Sequence, residues 1–561
     1  MSPATRREFE PKLVTVLREG YSPRQLAHDV AAGVQVGIVA LPLSLALAIA
    51  SGVRPEQGLF TAVVAGFLIS ALGGSRVQIG GPTGAFIVLV YGIVQTHGYD
   101  GLAVATMMAG GLMVLMGLAR LGNVIKFVPY PVTIGFTSGI AIIIAASQIR
   151  DLFGLDMAAV PADFLEKIVA YGEHVGSVNL WALGLGAATV AFLVLWPRVN
   201  PRIPSPLVAM VLATLAVWLL DLPVETIGDR FGAVPQMLPA PSLPSVSYAE
   251  VRALFPSAIG IALLASIESL LSAVVADGMT GGRHRSNMEL VAQGVANVAS
   301  PVFGGIPATG AIARTALNVR SGGRTPVAGM VHALTVLLIL FALAPLAGRI
   351  PMAALAGVLL LVAYHMSEWR VFVKLFRSPK SDILVLLTTF LLTVLVDLVV
   401  ALQTGIVLAA FLFMRRMAEL SEAGYVQDML SEDEGMDPAL AEPLPHGVEM
   451  FKVHGTLFFG AASKFKDAIR RVEKSPKVLI LRLREVLAID ATGLRALEDL
   501  LDKAASDGTA IVMTAVQDQP RAVLERAGIL ARVGEENLVP DFRRAVERSK
   551  EILGAPAASG R

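Results

Sequence analysis

Gly80-Gly81-Pro82-Thr83-Gly84-Ala85 and Gly304-Gly305-Ile306-Pro307-Ala308-Thr309-Gly310-Ala311 interrupt two hydrophobic segments with nearly the same words. Thr83 and Thr309 stand far apart in the chain, so the copies fall in opposite halves of a long apolar region. Glycine and proline are poor in helix interiors, and backbone that faces lipid cannot be left without hydrogen bonds. Helices broken at matching places in two halves of a membrane region point to a substrate site between internal repeats.

The composition agrees with a chain that sits mostly in lipid. Of 561 residues, 54% are hydrophobic and 16% charged, where a soluble chain carries about a quarter charged. Mean hydropathy is +0.65. The charge is concentrated at positions 1–28 and 420–561. A net charge of +1 argues against nucleic acid as a partner. The chain has no cysteine, which excludes disulfides, thiol chemistry and thiolate metal sites. No metal-ligand cluster, catalytic triad or P-loop is present, so neither cofactor, metal nor enzymatic activity is expected. The polar N-terminal stretch, 1–28, lacks a secretory signal pattern.

Fourteen candidate membrane segments follow one another near 29–51, 56–72, 78–96, 101–120, 127–147, 176–195, 206–220, 253–276, 286–303, 308–319, 326–347, 351–365, 382–396 and 398–417. The third and tenth carry the breaks. Seven segments per repeat, an odd number, invert the second copy in the membrane. The expected fold is therefore an all-α polytopic membrane protein, a seven-plus-seven inverted repeat, followed by a soluble α/β domain. Loop charges test the count. With the N-terminus inside, inner loops hold fifteen Lys and Arg, from Arg76 to Arg416 and including Lys126 and Arg202. Outer loops hold six: Arg54, Arg150, Lys167, Arg230, Arg252 and Arg349. This is the positive-inside pattern.

The expected domains are a cytoplasmic N-terminal segment at 1–28, a membrane domain at 29–420, an acidic linker at 421–446, an α/β domain at 447–555 and a tail at 556–561. Strands are expected around 448–453, 477–483 and 510–516, and helices near 461–473, 493–506, 519–527 and 540–553. An even number of spans returns this domain to the cytoplasmic side. The bilayer is the first partner, and the expected localisation is the cell (inner) membrane.

A helix that restarts after a break presents unpaired N–H groups and the positive end of its dipole, a ready anion site. The reading places Thr83, Gly84, Ala85, Thr309, Gly310 and Ala311 around a small anionic substrate, with both threonine hydroxyls as donors. Two Pro-kinked helices packed through small residues would leave the same words. Arg314, shortly after Thr309, would add a fixed positive charge; alternatively it snorkels to the inner interface. Glu268 is the sole acid of 261–275, in a stretch where ionisation is costly, and this suits proton uptake and release. A structural carboxylate paired with a neighbouring donor is the other possibility. Glu268 precedes Thr309 by the same interval that separates Pro42 from Thr83, so the two occupy equivalent places in the repeats. Asn287, Gln293, Asn297 and Asn318 read as interhelical hydrogen-bond formers.

Gly80–Ala85 in this form, Ser266-Ile267-Glu268-Ser269-Leu270-Leu271, Asp277-Gly278-Met279-Thr280 through Asn287, Ala313-Arg314-Thr315-Ala316-Leu317-Asn318 and Gly322-Gly323-Arg324-Thr325-Pro326 resemble the sulfate permease (SulP) family of anion transporters. Within the family, 38–52 and 136–148 are most similar to C4-dicarboxylate transporters. The resemblance implies a core domain (segments one to four and eight to eleven), a gate domain (five to seven and twelve to fourteen) and an anion held between segments three and ten. It also implies proton rather than sodium coupling through Glu268, and a homodimer. Gly455-Thr456-Leu457-Phe458-Phe459 and Ile489-Asp490-Ala491-Thr492-Gly493 resemble the STAS domain shared with anti-sigma-factor antagonists. A cytoplasmic protein partner of this domain would fit the likeness. Those antagonists carry a phosphorylated serine where Ala491 stands here, so the phosphoswitch does not carry over. Thr492 is expected to cap the following helix.

Overall fold

Prolines and capping side chains decide where the helices begin. Ser22 and Gln25 form a reciprocal capping box ahead of Pro23, and α1 runs Pro23–Ala50. Pro55 opens α2 (Pro55–Leu72). The first break contributes β1 (Gly80–Gly81) and a single 3₁₀ turn at Gly84–Phe86, which leads into α3 (Ile87–Leu118). Then come α4 (Tyr130–Ser147), α5 (Leu180–Val199), α6 (Ser205–Leu220), α7 (Tyr248–Thr280) and α8 (Ser286–Val302). The second break contributes β2 (Thr309–Gly310) and the short α9 (Ile312–Arg320). The remainder are α10 (Pro326–Ala347), α11 (Met352–Met366), α12 (Lys380–Leu395) and α13 (Leu398–Leu420). Among the described residues, eight helices are long and apolar enough to cross a membrane.

In this computed structural model the described residues are 8–123, 128–157, 160–200, 203–245, 248–420, 422–425, 444–458 and 476–554. Lys126, Arg202, Phe459, the expected helix at 461–473, the tail and most of the linker lie outside them. The chain divides into two units, Met1–Val407 and Leu408–Arg561. Each of the fourteen segments has a helical counterpart, with one difference in form. Segments three and four are a single helix, α3, bent at Gly98, whose φ of 66° ends one helical run and starts the next.

Helices of the first unit pack in two groups. In one, α1 lies on α2 and α10, α2 on α8 and α10, and α3 on α7 and α8. In the other, α4 lies on α11 and α12, and α5 on α6 and α11. Between groups, α1 touches α6 and α11, and α4 touches the Gly84–Phe86 turn. The grouping matches the core and gate that the resemblance implies.

The second unit holds a five-stranded sheet in the order β3 (Glu422–Tyr425), β4 (Val448–Leu457), β5 (Val478–Ile489), β6 (Ala510–Thr514), β7 (Leu538–Val539). Its pairs are parallel except β3–β4. Alternate residues of each strand point to opposite faces, and both faces are covered. Leu479, Leu481 and Met513 pack under α14 (Ala491–Asp507) and α15 (Asp518–Arg526). Val478, Ile480 and Val512 pack under α16 (Phe542–Gly554). The cap of α14 corrects the sequence reading. Asp490, not Thr492, occupies the N-cap with extended backbone, and its Oδ1 accepts from the Gly493 N–H at 2.7 Å.

Candidate functional site at the crossing of the two breaks

The breaks pair with each other. β1 and β2 run antiparallel, with Gly80 opposite Gly310 and Gly81 opposite Thr309. Each break thereby supplies backbone partners that lipid could not give the other. The antiparallel crossing sends α3 and α9 away in opposite directions, so their N-terminal ends face across it.

Neighbouring side chains fix the crossing. The Ala311 N–H donates to the Ile79 carbonyl (2.8 Å), the Ile79 N–H to Thr315 Oγ1 (3.0 Å) and Asn318 Nδ2 to the Val77 carbonyl (2.8 Å). Asn297 on α8 holds Ala308 at both ends, accepting from its N–H and donating to its carbonyl, each at 2.8 Å. Asn287 accepts from the Gly122 N–H at 2.9 Å. Gln293 differs from the expectation, since its amide donates to Glu289 on its own helix. Glycines keep the crossing close, and an added Cβ would force its neighbours to shift. Gly81 has φ +150°, and a Cβ there would lie 2.6 Å from Arg314 Nη1. A Cβ on Gly310 would lie 1.5 Å from Gln78 Nε2.

The two breaks differ in which donors they leave open. In the first, Thr83 is partly exposed and extended, and its hydroxyl oxygen is buried without a partner. The N–H groups of Gly84 and Ala85 make no hydrogen bond to protein among the described residues. In the second, Thr309 is fully buried. Its hydroxyl donates to the Ala265 carbonyl (3.1 Å) and lies 2.6 Å from Ser269 Oγ, which also accepts from the Gly310 N–H at 3.1 Å. The expected Thr309 donor is therefore already engaged by α7, and the N–H groups of Gly310 and Ala311 are likewise taken. Open N–H groups on this side begin at Ile312 and Ala313, exposed residues in the first turn of α9.

Arg314 does not snorkel. It is 4% exposed, and its Nη2 donates across the crossing to the Pro82 carbonyl. Its Nη1 is buried and has no partner, and no carboxylate pairs with it among the described residues. Because α7 packs against β2, α9 and the Gly84–Phe86 turn, it borders both breaks. Ala265 and Ser269 face the second. Glu268, the neighbouring residue on the helix, is partly exposed and has no hydrogen-bond or ion-pair partner among the described residues. Glu289 is a useful contrast: fully buried, it accepts from the N–H groups of Gly74 (2.8 Å) and Ser75 (3.1 Å) and from Gln293 (2.9 Å). That is the structural type of carboxylate, and Glu268 lacks every such contact.

Three residues of this region escape a sequence reading. Ser269 locks the second break, and Gln78 reaches the Ser269 carbonyl at 3.0 Å. His332 on α10 is fully buried with both ring nitrogens unpartnered. It had a signal, as the one ionisable residue of its apolar helix.

Residues 26–389 match the "Sulfate permease family" and residues 443–545 the "STAS domain". YvdB of Bacillus subtilis, named as a sulfate transporter, is 39% identical over 521 residues, covering 92% of this chain and 97% of that one. The "Bicarbonate transporter BicA" of Picosynechococcus is 30% identical over 549 residues, covering 95% of each. The murine "Solute Carrier 26 family member A9" anion transporter has the same fold, with TM-score 0.86 at 17% identity over 98% of this chain and 95% of that one. A crossing of inverted broken helices, an unpaired buried arginine and a match over most of the chain lead to one assignment: this is a multi-pass membrane protein of the sulfate permease family of anion transporters, with a C-terminal STAS domain.

Proposed function

We propose that the chain carries a small anion inward together with a proton, and that the anion is a C4-dicarboxylate such as succinate, fumarate or aspartate. The coupling rests on one observation: the Glu268 carboxylate has no partner, yet its neighbour Ser269 holds the second break. A bare carboxylate at membrane depth is costly to ionise. Protonation removes that charge as the loaded core crosses the bilayer. The anion sits against the Thr83 hydroxyl, the N–H groups of Gly84 and Ala85, the first turn of α9 and Arg314 Nη1. Thr309, Gly310 and Ala311 act through position, holding the crossing in which those donors converge.

Dicarboxylate is supported by the likeness of 38–52 and 136–148 to the C4-dicarboxylic acid transporter DauA. Sulfate or bicarbonate is the second reading, favoured by the names of relatives at 39% and 30% identity. The loop charges support a cytoplasmic N-terminus and STAS domain, and family likeness supports a homodimer. The test is uptake into proteoliposomes with and without an inward proton gradient, with succinate, sulfate and bicarbonate competing against labelled fumarate. Glu268→Gln is expected to abolish gradient-driven accumulation. Unchanged accumulation overturns the coupling, and competition by sulfate or bicarbonate without succinate overturns the dicarboxylate.

A further inference from the structure

A cavity of about 620 Å³ opens between the two helix groups, on the face that the loop charges assign to the outside. It gathers the end of α1, the first half of α3, the end of α4, the α12–α13 junction and a short helix at Phe164–Glu173. The volume suits a small ligand. Two cations line it in an unusual state. Lys167 is 4% exposed, yet its ammonium makes no hydrogen bond or ion pair among the described residues. It lies 5.9 Å from the centroid of the Tyr91 ring. Arg150, just past α4, has a buried Nε without a partner.

The carboxylates of the cavity are engaged elsewhere. Asp151 pairs with Arg230 at 2.7 Å. Asp163 accepts from the N–H groups of Leu165 (2.9 Å) and Glu166 (3.1 Å), and Asp397 from those of Val399 (2.7 Å) and Val400 (3.0 Å). Three acids are thus held by a helix start or an arginine, while Lys167 and Arg150 retain open donors. Burial draws the Lys167 ammonium below its ordinary value, and Asp163 opposes this. A bound anion would relieve the same penalty.

We propose that Lys167 and Arg150 form a capture site for a small oxyanion, separate from the crossing and met before it on the way in. Tyr91 belongs to the core helix α3, and its hydroxyl donates to the Val160 carbonyl in the connection ahead of the Phe164–Glu173 helix. The site therefore straddles the seam between core and gate. Its role is to concentrate the substrate at the mouth, so it governs the half-saturating concentration and not the turnover. The inference rests on anion transport by the family and on neither the identity of the anion nor proton coupling.

The absence of native cysteine permits a charge-swap test, because Lys167→Cys introduces the chain's one thiol. In proteoliposomes of the full-length protein, Lys167→Cys and Arg150→Gln should each raise KM for external anion about tenfold, with kcat held. Sulfate, bicarbonate and succinate are each used as the probe. A membrane-impermeant cationic methanethiosulfonate should restore the low KM of Lys167→Cys, while an anionic one should not. In Lys167→Cys combined with Glu268→Gln, at least one probe anion should still slow modification of the thiol, which reports binding where coupled transport has stopped. Unchanged KM, equal effects of the two reagents, or the lack of protection by every probe overturns the site. A merely structural Lys167 would lower kcat and respond to both reagents alike.

Discussion

Gly81→Ala tests the link between the crossing and the arginine. Two costs add. Gly81 has φ +150°, a conformation that alanine adopts only under strain of about 1–3 kcal/mol. The new Cβ would also stand 2.6 Å from Arg314 Nη1, so the guanidinium must move. Its Nη2 then loses the Pro82 carbonyl, a hydrogen bond to a charged group worth about 1.5–3 kcal/mol. The expected destabilisation is about 2.5–6 kcal/mol, enough to lower the thermal midpoint of the detergent-solubilised protein by about 3–7 °C. Anion uptake should fall with it, because the displaced cation faces the Thr83 side of the crossing. Gly111→Ala in α3 is the control: nothing lies within 4 Å of its Cβ position, and helix propensity predicts a change of at most about 1 kcal/mol towards stability. A Gly81→Ala protein with wild-type midpoint and uptake would refute the reasoning, since it would mean that Arg314 is not held where the crossing puts it.

Asn297→Ala should leave the N–H and carbonyl of Ala308 buried without partners, a loss of about 2–6 kcal/mol read as a lower thermal midpoint. In the second unit, Asp490→Ala removes the cap of α14 at about 1 kcal/mol, seen as faster hydrogen exchange confined to the first turn after Asp490 in the full-length protein. Burial raises the Glu485 carboxyl, but hydrogen bonds from His454 and Lys452 outweigh it and leave the group below its ordinary 4.5. The folded state therefore binds that proton less readily than the unfolded one. Its contribution is present above pH about 4.5 and is lost as pH falls through the folded value. Glu485→Gln should flatten the acid side of hydrogen-exchange protection in β4 and β5.

Much of this was legible in the chain because the cues are local. Ser22, Pro55, Thr325 and Pro351 begin helices by their own chemistry, so segment boundaries follow from composition and spacing. The two breaks were legible for the same reason, as glycine and proline act on their own backbone. What required three dimensions was the fate of individual donors. Thr83 and Thr309 sit in the same words, and only the position of Ser269 decides that one hydroxyl is engaged and the other open. Asp490 and Thr492 are both good capping residues, and only the extended backbone at Asp490 separates them. Arg314 could be read as snorkelling until its reach to Pro82 was visible.

The repeats explain why the halves of the crossing do different work. The offset that carries Thr309 onto Thr83 also places Ser269 on Leu43, Ala265 on Val39, Glu268 on Pro42 and Arg314 on Val88. Leu43 offers no hydroxyl, so the first repeat has no counterpart that could engage Thr83 as Ser269 engages Thr309. The polar residues that lock one break are therefore the reason the other keeps its donors open. The ionisable groups Glu268, Arg314 and His332 also belong to the second repeat, and Arg314 reaches back to the first through Pro82. A symmetric crossing would have two equivalent anion ends and no place to register a proton. Here the second repeat supplies the lock, the cation and the carboxylate, and the first supplies the open donors, so the junction is asymmetric in its chemistry. Placing a serine at Leu43 would make the breaks more alike. If Leu43→Ser gave Thr83 a partner, anion affinity should fall while the crossing stays intact, and an unchanged affinity would show that Thr83 is not among the groups that hold the anion.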